Sequence, residues 1–241
     1  MTSNSPLPPG QQLRSSFERF GLGRFANKFP ADARHARFQI GGDVATSLVV
    51  DEQLRALPRV SQRSDFHCVT TWSVQGLEWQ GFRFADFYAR IVEPLARPKP
   101  GADFVVLKGQ DGYRTCMYLP DLLHDDVLLA DTLNGAPLDI AHGAPLRLVA
   151  PAHYGYKNMK HLAAIEFRVG RGDYRFPFPY PGLMDHPRAR VALEERVRYL
   201  PAAWVRPLYR MLIPVVIGKS RRALARHLAQ LVLDPAAALH V

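Results

Sequence analysis

The chain has 241 residues, 47% apolar and 22% charged, with two cysteines and a formal net charge of +9. That balance excludes a disordered chain, two cysteines exclude a disulfide scaffold, and no apolar run approaches the ~20 residues of a membrane span. The charge is localised: residues 186–241 hold ten Lys/Arg against three Asp/Glu, and residues 1–185 hold twenty-one against nineteen. The basic excess therefore belongs to the tail, and the main domain shows no nucleic-acid footprint.

Residues 1–35 read as an arm: LPPGQ, a short helical-looking patch SFERFGLGRF, then NKFP. The start is polar and proline-rich, with no basic stretch leading into an apolar run, so a cytoplasmic location is expected. From residue 36 the texture changes to short apolar runs broken by Gly, Pro and Asp. FQIGGDV, ATSLVV, DFHCVTTW, ADFVVLKG, YRTCMYL, APLRLVA and LAAIEFRV read as strands. DEQLRAL, FADFYARIVEPL and LPDLLHDDVLLADTL read as helices. Strands and helices mix without a regular βαβ alternation, which predicts an α+β domain over residues 36–170. Residues 171–186, inside RGDYRFPFPYPGLMDHP, read as a proline-rich linker. Residues 187–241 predict a basic helical C-terminal extension built from RARVALEERVRYL, AAWVRPLYRML and KSRRALARHLAQLVL. In the last of these Leu224, Leu228, Leu231 and Val232 form one stripe, and Pro235 fits a stop.

Four stretches carry candidate chemistry. SDFHCVTTWS holds Cys68, which reads either as a small buried hydrophobe or as a thiolate serving as nucleophile or metal ligand. His67 is not its base by default, because adjacent strand side chains point to opposite faces. Zinc would need a second ligand at close spacing, and Cys116 lies far off in YRTCMY. One thiolate still anchors a metal whose other ligands come from a cofactor. DGYRT is a turn feeding a strand, with Thr115 as a hydroxyl donor. HGAPLRLVAP sets Arg147 inside an apolar run, either as a structural salt bridge or as an anion clamp. YGYKNMK spaces Lys157 and Lys160 three apart; on a helical turn they share a face and, with backbone N–H groups, could hold a phosphate. The alternative is a solvated basic pair.

SDFHCVTTWS followed by LEWQGFRFADFY resembles the cysteine segment of the sulfite oxidase family of molybdenum enzymes. DGYRTCMYL and then DDVLLADTLNGAPLDIAHGAPLRLVAPAHYGYKNMKHLAAIEF are similar to the rest of that domain in the same order, and the likeness covers residues 7–168. The resemblance implies the sulfite-oxidase-type molybdopterin-binding fold of mixed β-sheets with flanking helices. It implies a molybdenum cofactor, with Cys68 as the one protein ligand to the metal. It places His142 and Arg147 around the pterin, Thr115 near it, and Lys157, Asn158, Met159 and Lys160 on a loop at the pterin phosphate. Asn27, His67, Tyr154 and Gly155 complete the cofactor-binding set, and Cys68 and Arg147 the catalytic one. Three departures stand out. After VTTWS no arginine follows until Arg83, which argues against sulfite as substrate. The family's catalytic tyrosine has Tyr174 as its nearest candidate. The immunoglobulin-like domain of sulfite oxidases is replaced by the basic tail, and no haem-binding module is visible. The methionine sulfoxide reductase branch is nearer in the cysteine segment.

The expected function is a molybdopterin-dependent oxidoreductase carrying out oxygen-atom or coupled electron–proton transfer on a small-molecule substrate, served by an electron-transfer partner. The alternatives are an interaction module of the same fold, or a basic membrane-surface or nucleic-acid binder acting through the tail. For the tail itself, packing on the main domain or on a second subunit of a homodimer is set against contact with a membrane surface.

Overall fold

The computed structural model describes residues 6–233. Its strands in chain order are β1 (Gln12–Leu13), β2 (Phe38–Gly42), β3 (Leu48–Val50), β4 (Arg59–His67), β5 (Trp72–Arg83), β6 (Phe104–Gly109), β7 (Arg114–Tyr118), β8 (Leu128–Leu133), β9 (Ala136–Pro137), β10 (Arg147–Val149) and β11 (Leu162–Arg168). Three α-helices join them: α1 (Phe84–Phe87), which runs on as π-type turns over Tyr88–Ala96, α2 (Leu119–Leu122) and α3 (Ala202–Leu233).

The strands make two sheets. In one, β5 is central: antiparallel to β4 and β8, parallel to β1, with β10 and β9 attached through β8. The other has the order β3-β2-β11-β6-β7, with β2 and β11 parallel and the remaining pairs antiparallel. The main core lies between them. Ile40, Val105, Leu107 and Ile165 of the five-stranded sheet meet Phe82, Leu129 and Leu148 of the six-stranded one, joined by Phe84, Phe87 and Ile91. Alternate residues of the same strands face a second core. Leu128, Ala130 and Val149 join Cys68, Trp72, Val74 and Trp79, over which Phe17 and Phe20 of the arm and Ile213 of α3 close. β8 and β10 are thus covered on both faces, which suits their unbroken apolar runs. This is the expected α+β architecture of mixed sheets and helices.

Several expected elements take another form. LPDLLHDDVLLADTL is helical only over α2; its second half is β8, because a strand buried on both faces carries no alternation to set it apart from a helix. DEQLRAL makes a short 3-10 turn, Glu52–Ala56, and SFERFGLGRF holds only another, Gly23–Phe25. The tail is not three helices. Residues 187–201 are turns, and α3 then runs unbroken through Pro207 and Pro214. Its buried side is Val205, Tyr209, Ile217, Ser220 and Ala223, whereas Leu228 and Val232 of the expected stripe are exposed. Pro235 lies outside the described residues. The linker covers the outer face of the five-stranded sheet, where Tyr174 packs on Phe104, Val106 and Cys116.

Candidate functional site

The β4–β5 connection presents the cysteine. Residues 68–71 form a tight turn in which Thr71 takes φ +78°. Cys68 N–H donates to Trp72 O at 2.8 Å, and Thr71 N–H donates to Cys68 O at 3.1 Å. The arm clamps this turn. Gln12 N–H donates to Thr71 O at 2.9 Å, and Gln11 Nε2 donates to Cys68 O at 3.1 Å. Cys68 lines a cavity of about 340 Å³, a volume within the range of small-ligand and cofactor sites. His67 does not line it; its Nδ1 lies 2.8 Å from Ser73 Oγ. Cys68 Sγ is 3.1 Å from Thr70 Oγ1, and burial pushes its pKa up.

The loop before β10 builds one wall. Gly143, at φ +118°, brings the chain so close that a Cβ there would meet Arg147 Cβ and Lys160 Cγ at 3.1 Å. Arg147 is buried, donating from Nη1 to His142 O at 2.6 Å and lying over the Trp79 ring at 4.9 Å. Among the described residues it has no carboxylate partner, so the salt-bridge reading is not met; burial alone pulls its pKa down to about 9. His142 lines the cavity and fastens the arm across it, its Nε2 2.8 Å from Phe17 O and its Nδ1 2.7 Å from Asp139 Oδ1.

Residues 154–161 form turns rather than a helix, and this separates the two lysines. Gly155 N–H donates to His67 O at 2.8 Å, and a Cβ on Gly155 would sit 2.2 Å from the Phe66 ring, so only glycine lets the loop touch the cysteine strand. Lys160 turns into the cavity, where among the described residues its Nζ has only Phe20 O at 3.4 Å and Ala141 O at 3.5 Å. Burial first, then Arg19 and Arg147, push it down to about 7. Lys157 turns the other way. It is fully buried, with Nζ 3.0 Å from Asp185 Oδ1 and 2.9 Å from Cys116 O. The shared helical face expected of the pair is absent.

The other expected residues are scattered around this cavity. Asn158 reaches its wall while bracing the loop, accepting from Ala150 N–H at 2.7 Å. Met159 sits in the main core. Thr115, in β7, and Tyr154, against Ala189 and Val191, are fully buried and do not line the cavity. Asn27 is exposed and accepts from Arg226 Nη2 of α3 at 3.1 Å. Tyr174 is buried beside Phe104, away from the cavity, and burial raises its pKa. Tyr113, Tyr156, Tyr180 and Tyr209 line the cavity instead.

Some residues went unrecognised in the sequence. Arg19 lines the cavity, donating to Ala26 O at 2.6 Å and Lys28 O at 2.9 Å, and burial lowers its pKa. Its setting, SFERF, reads in the sequence as part of a short helical patch and carries no mark of a buried cation. Asp111 also lines the cavity, with its pKa raised by burial. Tyr209, Leu212, Val216 and Ser220 of α3 complete the roof. Among the described residues no group of three His, Cys, Asp or Glu side chains is arranged to hold a metal. The cavity therefore offers one thiol, three basic side chains (Arg19, Arg147 and Lys160) against the two carboxyls of Glu18 and Asp111, and aromatic walls. That set suits a flat anionic ligand bearing a thiophilic metal.

Comparison with known proteins yields the following matches. The model of the oxidoreductase molybdopterin binding domain matches residues 26–173. An uncharacterised oxidoreductase, YuiH of Bacillus subtilis, is 35% identical over 162 residues, covering 67% of this chain and 78% of that one. A putative protein-methionine-sulfoxide reductase subunit, YedZ1 of Azospira oryzae, is 32% identical over 136 residues, covering 56% and 49%. The protein-methionine-sulfoxide reductase catalytic subunit MsrP of Xanthomonas campestris is 28% identical over 174 residues, covering 63% and 53%. The chain thus spans about half the length of the last two. The sulfane dehydrogenase SoxCD of Paracoccus pantotrophus aligns at a TM-score of 0.49 and 23% identity, over 60% of this chain and 40% of that one.

Proposed function

The chain belongs to the molybdopterin-binding oxidoreductase family, and on that premise we propose that its molybdenum cofactor lies in the cavity beneath the arm and α3, with Cys68 Sγ as the single protein ligand to the metal. The observation that carries the reading is an inward thiol beside buried cations that the protein leaves short of partners. Among the described residues Arg147 has no carboxylate partner, and Lys160 has two long carbonyl contacts. Unpaired buried charge is costly, and an anionic ligand relieves that cost.

Arg147, Lys160 and Arg19 hold the anionic groups, Lys160 as the phosphate contact and Arg147 against the pterin. Gly155 and Asn158 set the loop against the cysteine strand, and His142 holds Phe17 as part of the lid. Lys157 braces the wall from behind through Asp185. Bound there, the molybdenum centre supplies two-electron chemistry suited to oxygen-atom transfer or coupled electron–proton transfer. The chain's own groups do the rest. Phe17, Phe20 and Trp72 exclude water. Lys160, brought down to about 7 by burial and by Arg19 and Arg147, takes up a proton at Nζ as it meets the phosphate. Tyr209 is pushed up to about 12 by burial, so its hydroxyl stays protonated and available as a donor. Two relatives bear names of protein-methionine-sulfoxide reductases; the carry-over is the reaction class, with a small substrate and a separate electron-transfer partner.

The test is elemental analysis and pterin release on protein made in a cofactor-competent host. Near-stoichiometric molybdenum with released pterin is the expected result. Protein that folds in that host with neither refutes the reading.

A further inference from the structure

α3 has two unlike faces. Its inward face roofs the cavity through Tyr209, Leu212, Val216 and Ser220. Its outward face begins with Trp204 (74% exposed), Leu208 (53%), Met211 (68%) and Val215 (64%). These recur at i, i+4, i+7 and i+11, which sets them on one stripe. The same spacing continues to Lys219, Arg222 and Arg226, all exposed. The outward stripe is therefore apolar in its first half and basic in its second. At 1.5 Å per residue the apolar half runs about 17 Å. Tyr199 and Leu200, both exposed, extend the apolar end just ahead of the helix.

The charge on this helix has one sign. α3 carries Arg206, Arg210, Lys219, Arg221, Arg222 and Arg226, and no Asp or Glu. Arg206 is tied to Glu194, Arg221 to Glu18, and Arg226 reaches Asn27. Arg210, Lys219 and Arg222 have no ion-pair partner among the described residues. No helix among those residues is long and apolar enough to cross a membrane.

We propose that the outward face of α3 docks the protein on an anionic lipid surface, its aromatic and aliphatic half in the headgroup–acyl boundary and its basic half on the headgroups. Trp and Tyr favour that boundary because one end of each is apolar and the other polar. Apolar burial and attraction to anionic lipid add in the binding of interfacial helices. A second copy fits less well: a parallel pair sets the basic halves against each other, and an antiparallel pair sets each basic half on an apolar one or leaves it unpartnered, with no acid on α3 to meet it. The same helix roofs the cavity, so docking holds the cavity within about a helix diameter, 10–12 Å, of the headgroups.

Trp204 makes the test direct. Of the three tryptophans, Trp72 and Trp79 are buried, and Trp204 alone is open to solvent. The full-length holoprotein is titrated with phosphatidylcholine vesicles containing phosphatidylglycerol, and with phosphatidylcholine alone. The expected result is a blue shift of tryptophan emission and loss of iodide quenching with the anionic vesicles at ~0.15 M salt, weakened at least ~tenfold at ~1 M salt as screening shortens. The exposed pairs Leu208→Ser/Met211→Ser and Lys219→Glu/Arg222→Glu should each weaken binding at least ~tenfold while melting temperature and molybdenum content hold. No shift with anionic vesicles overturns the proposal, as does binding that survives both variants. A concentration-dependent dimer abolished by Leu208→Ser/Met211→Ser, without vesicle binding, also overturns it and assigns the face to a second copy. Salt-sensitive capture of an acidic protein through this face, again without vesicle binding, overturns it in favour of that partner.

Discussion

Replacing Lys157 with methionine removes an amine that reaches Asp185 at 3.0 Å, both side chains being fully buried. What remains is a buried carboxylate whose nearest cation is Arg171, 3.7 Å away and partly exposed. Breaking a buried pair by deleting one member costs about 3–5 kcal/mol. The residual attraction of Arg171 argues for the low end, about 3 kcal/mol. In a chain of this size each kcal/mol moves the melting temperature by about 2–4 °C, so the apoprotein should melt about 6–12 °C lower. Lys157→Met combined with Asp185→Asn removes the stranded charge and should recover at least half of that loss. The assay is thermal melting of the apo forms by circular dichroism, with molybdenum measured on the same preparations. A single variant that melts with the native protein yet purifies without molybdenum would refute the reasoning, since Lys157 would then serve the cofactor and not the linker.

Arg147→Met should leave the apoprotein as stable as the native chain or more so, because the arginine is desolvated with no carboxylate among the described residues to meet it. Cofactor affinity should fall about 10- to 150-fold, the value of one charge-assisted contact of about 1.5–3 kcal/mol; melting curves with pterin quantitation read both. Lys160 sits at about 7, below its ordinary 10.5. Between those values the unfolded chain holds a proton that the folded chain lacks, so the apoprotein should gain stability as pH rises through that window, and Lys160→Gln should flatten the gain in a melting-temperature series. Sulfate, whose charge does not change in this range, should bind the apoprotein more tightly as pH falls through about 7, and the same substitution should remove that dependence. Tyr174→Phe should leave dye-linked turnover intact, because the ring packs on Phe104 outside the cavity; a loss of turnover with unchanged molybdenum content would contradict that placement.

Much of the fold is legible in the sequence where β-branched runs are bounded by turn residues. FQIGGDV, ADFVVLKG and LAAIEFRV hold β2, β6 and β11. β5 is not legible. Its WSVQGLEWQGFR mixes polar residues with glycines, Gly76 takes φ +70°, and the register slips between Gln80 and Gly81. Such a strand owes its place to neighbours on both sides more than to its own alternation. α3 shows the converse. Pro207 and Pro214 each cost about 3 kcal/mol in a helix interior and so read as breaks, yet burial of Tyr209, Ile217 and Ala223 on the domain holds the helix through both. At the site, Cys68, Arg147, His142 and Lys160 stand together as their motifs suggest. Arg19 and Tyr209 carry no local signal, because they reach the cavity from opposite ends of the chain, and only the packing of arm and tail over β5 brings them there.

The central claim is that one protein sulfur, Cys68 Sγ, binds the metal in this cavity. Molybdenum X-ray absorption on the native protein and on Cys68→Ser tests it most directly. Thr71, Trp72 and the arm hold the turn without the thiol, and the cationic wall is untouched, so the variant should keep its fold and most of its pterin. Its spectrum should lose one sulfur scatterer, together with the thiolate-to-metal charge-transfer absorption. An unchanged sulfur shell in Cys68→Ser, with molybdenum still bound, would contradict the account.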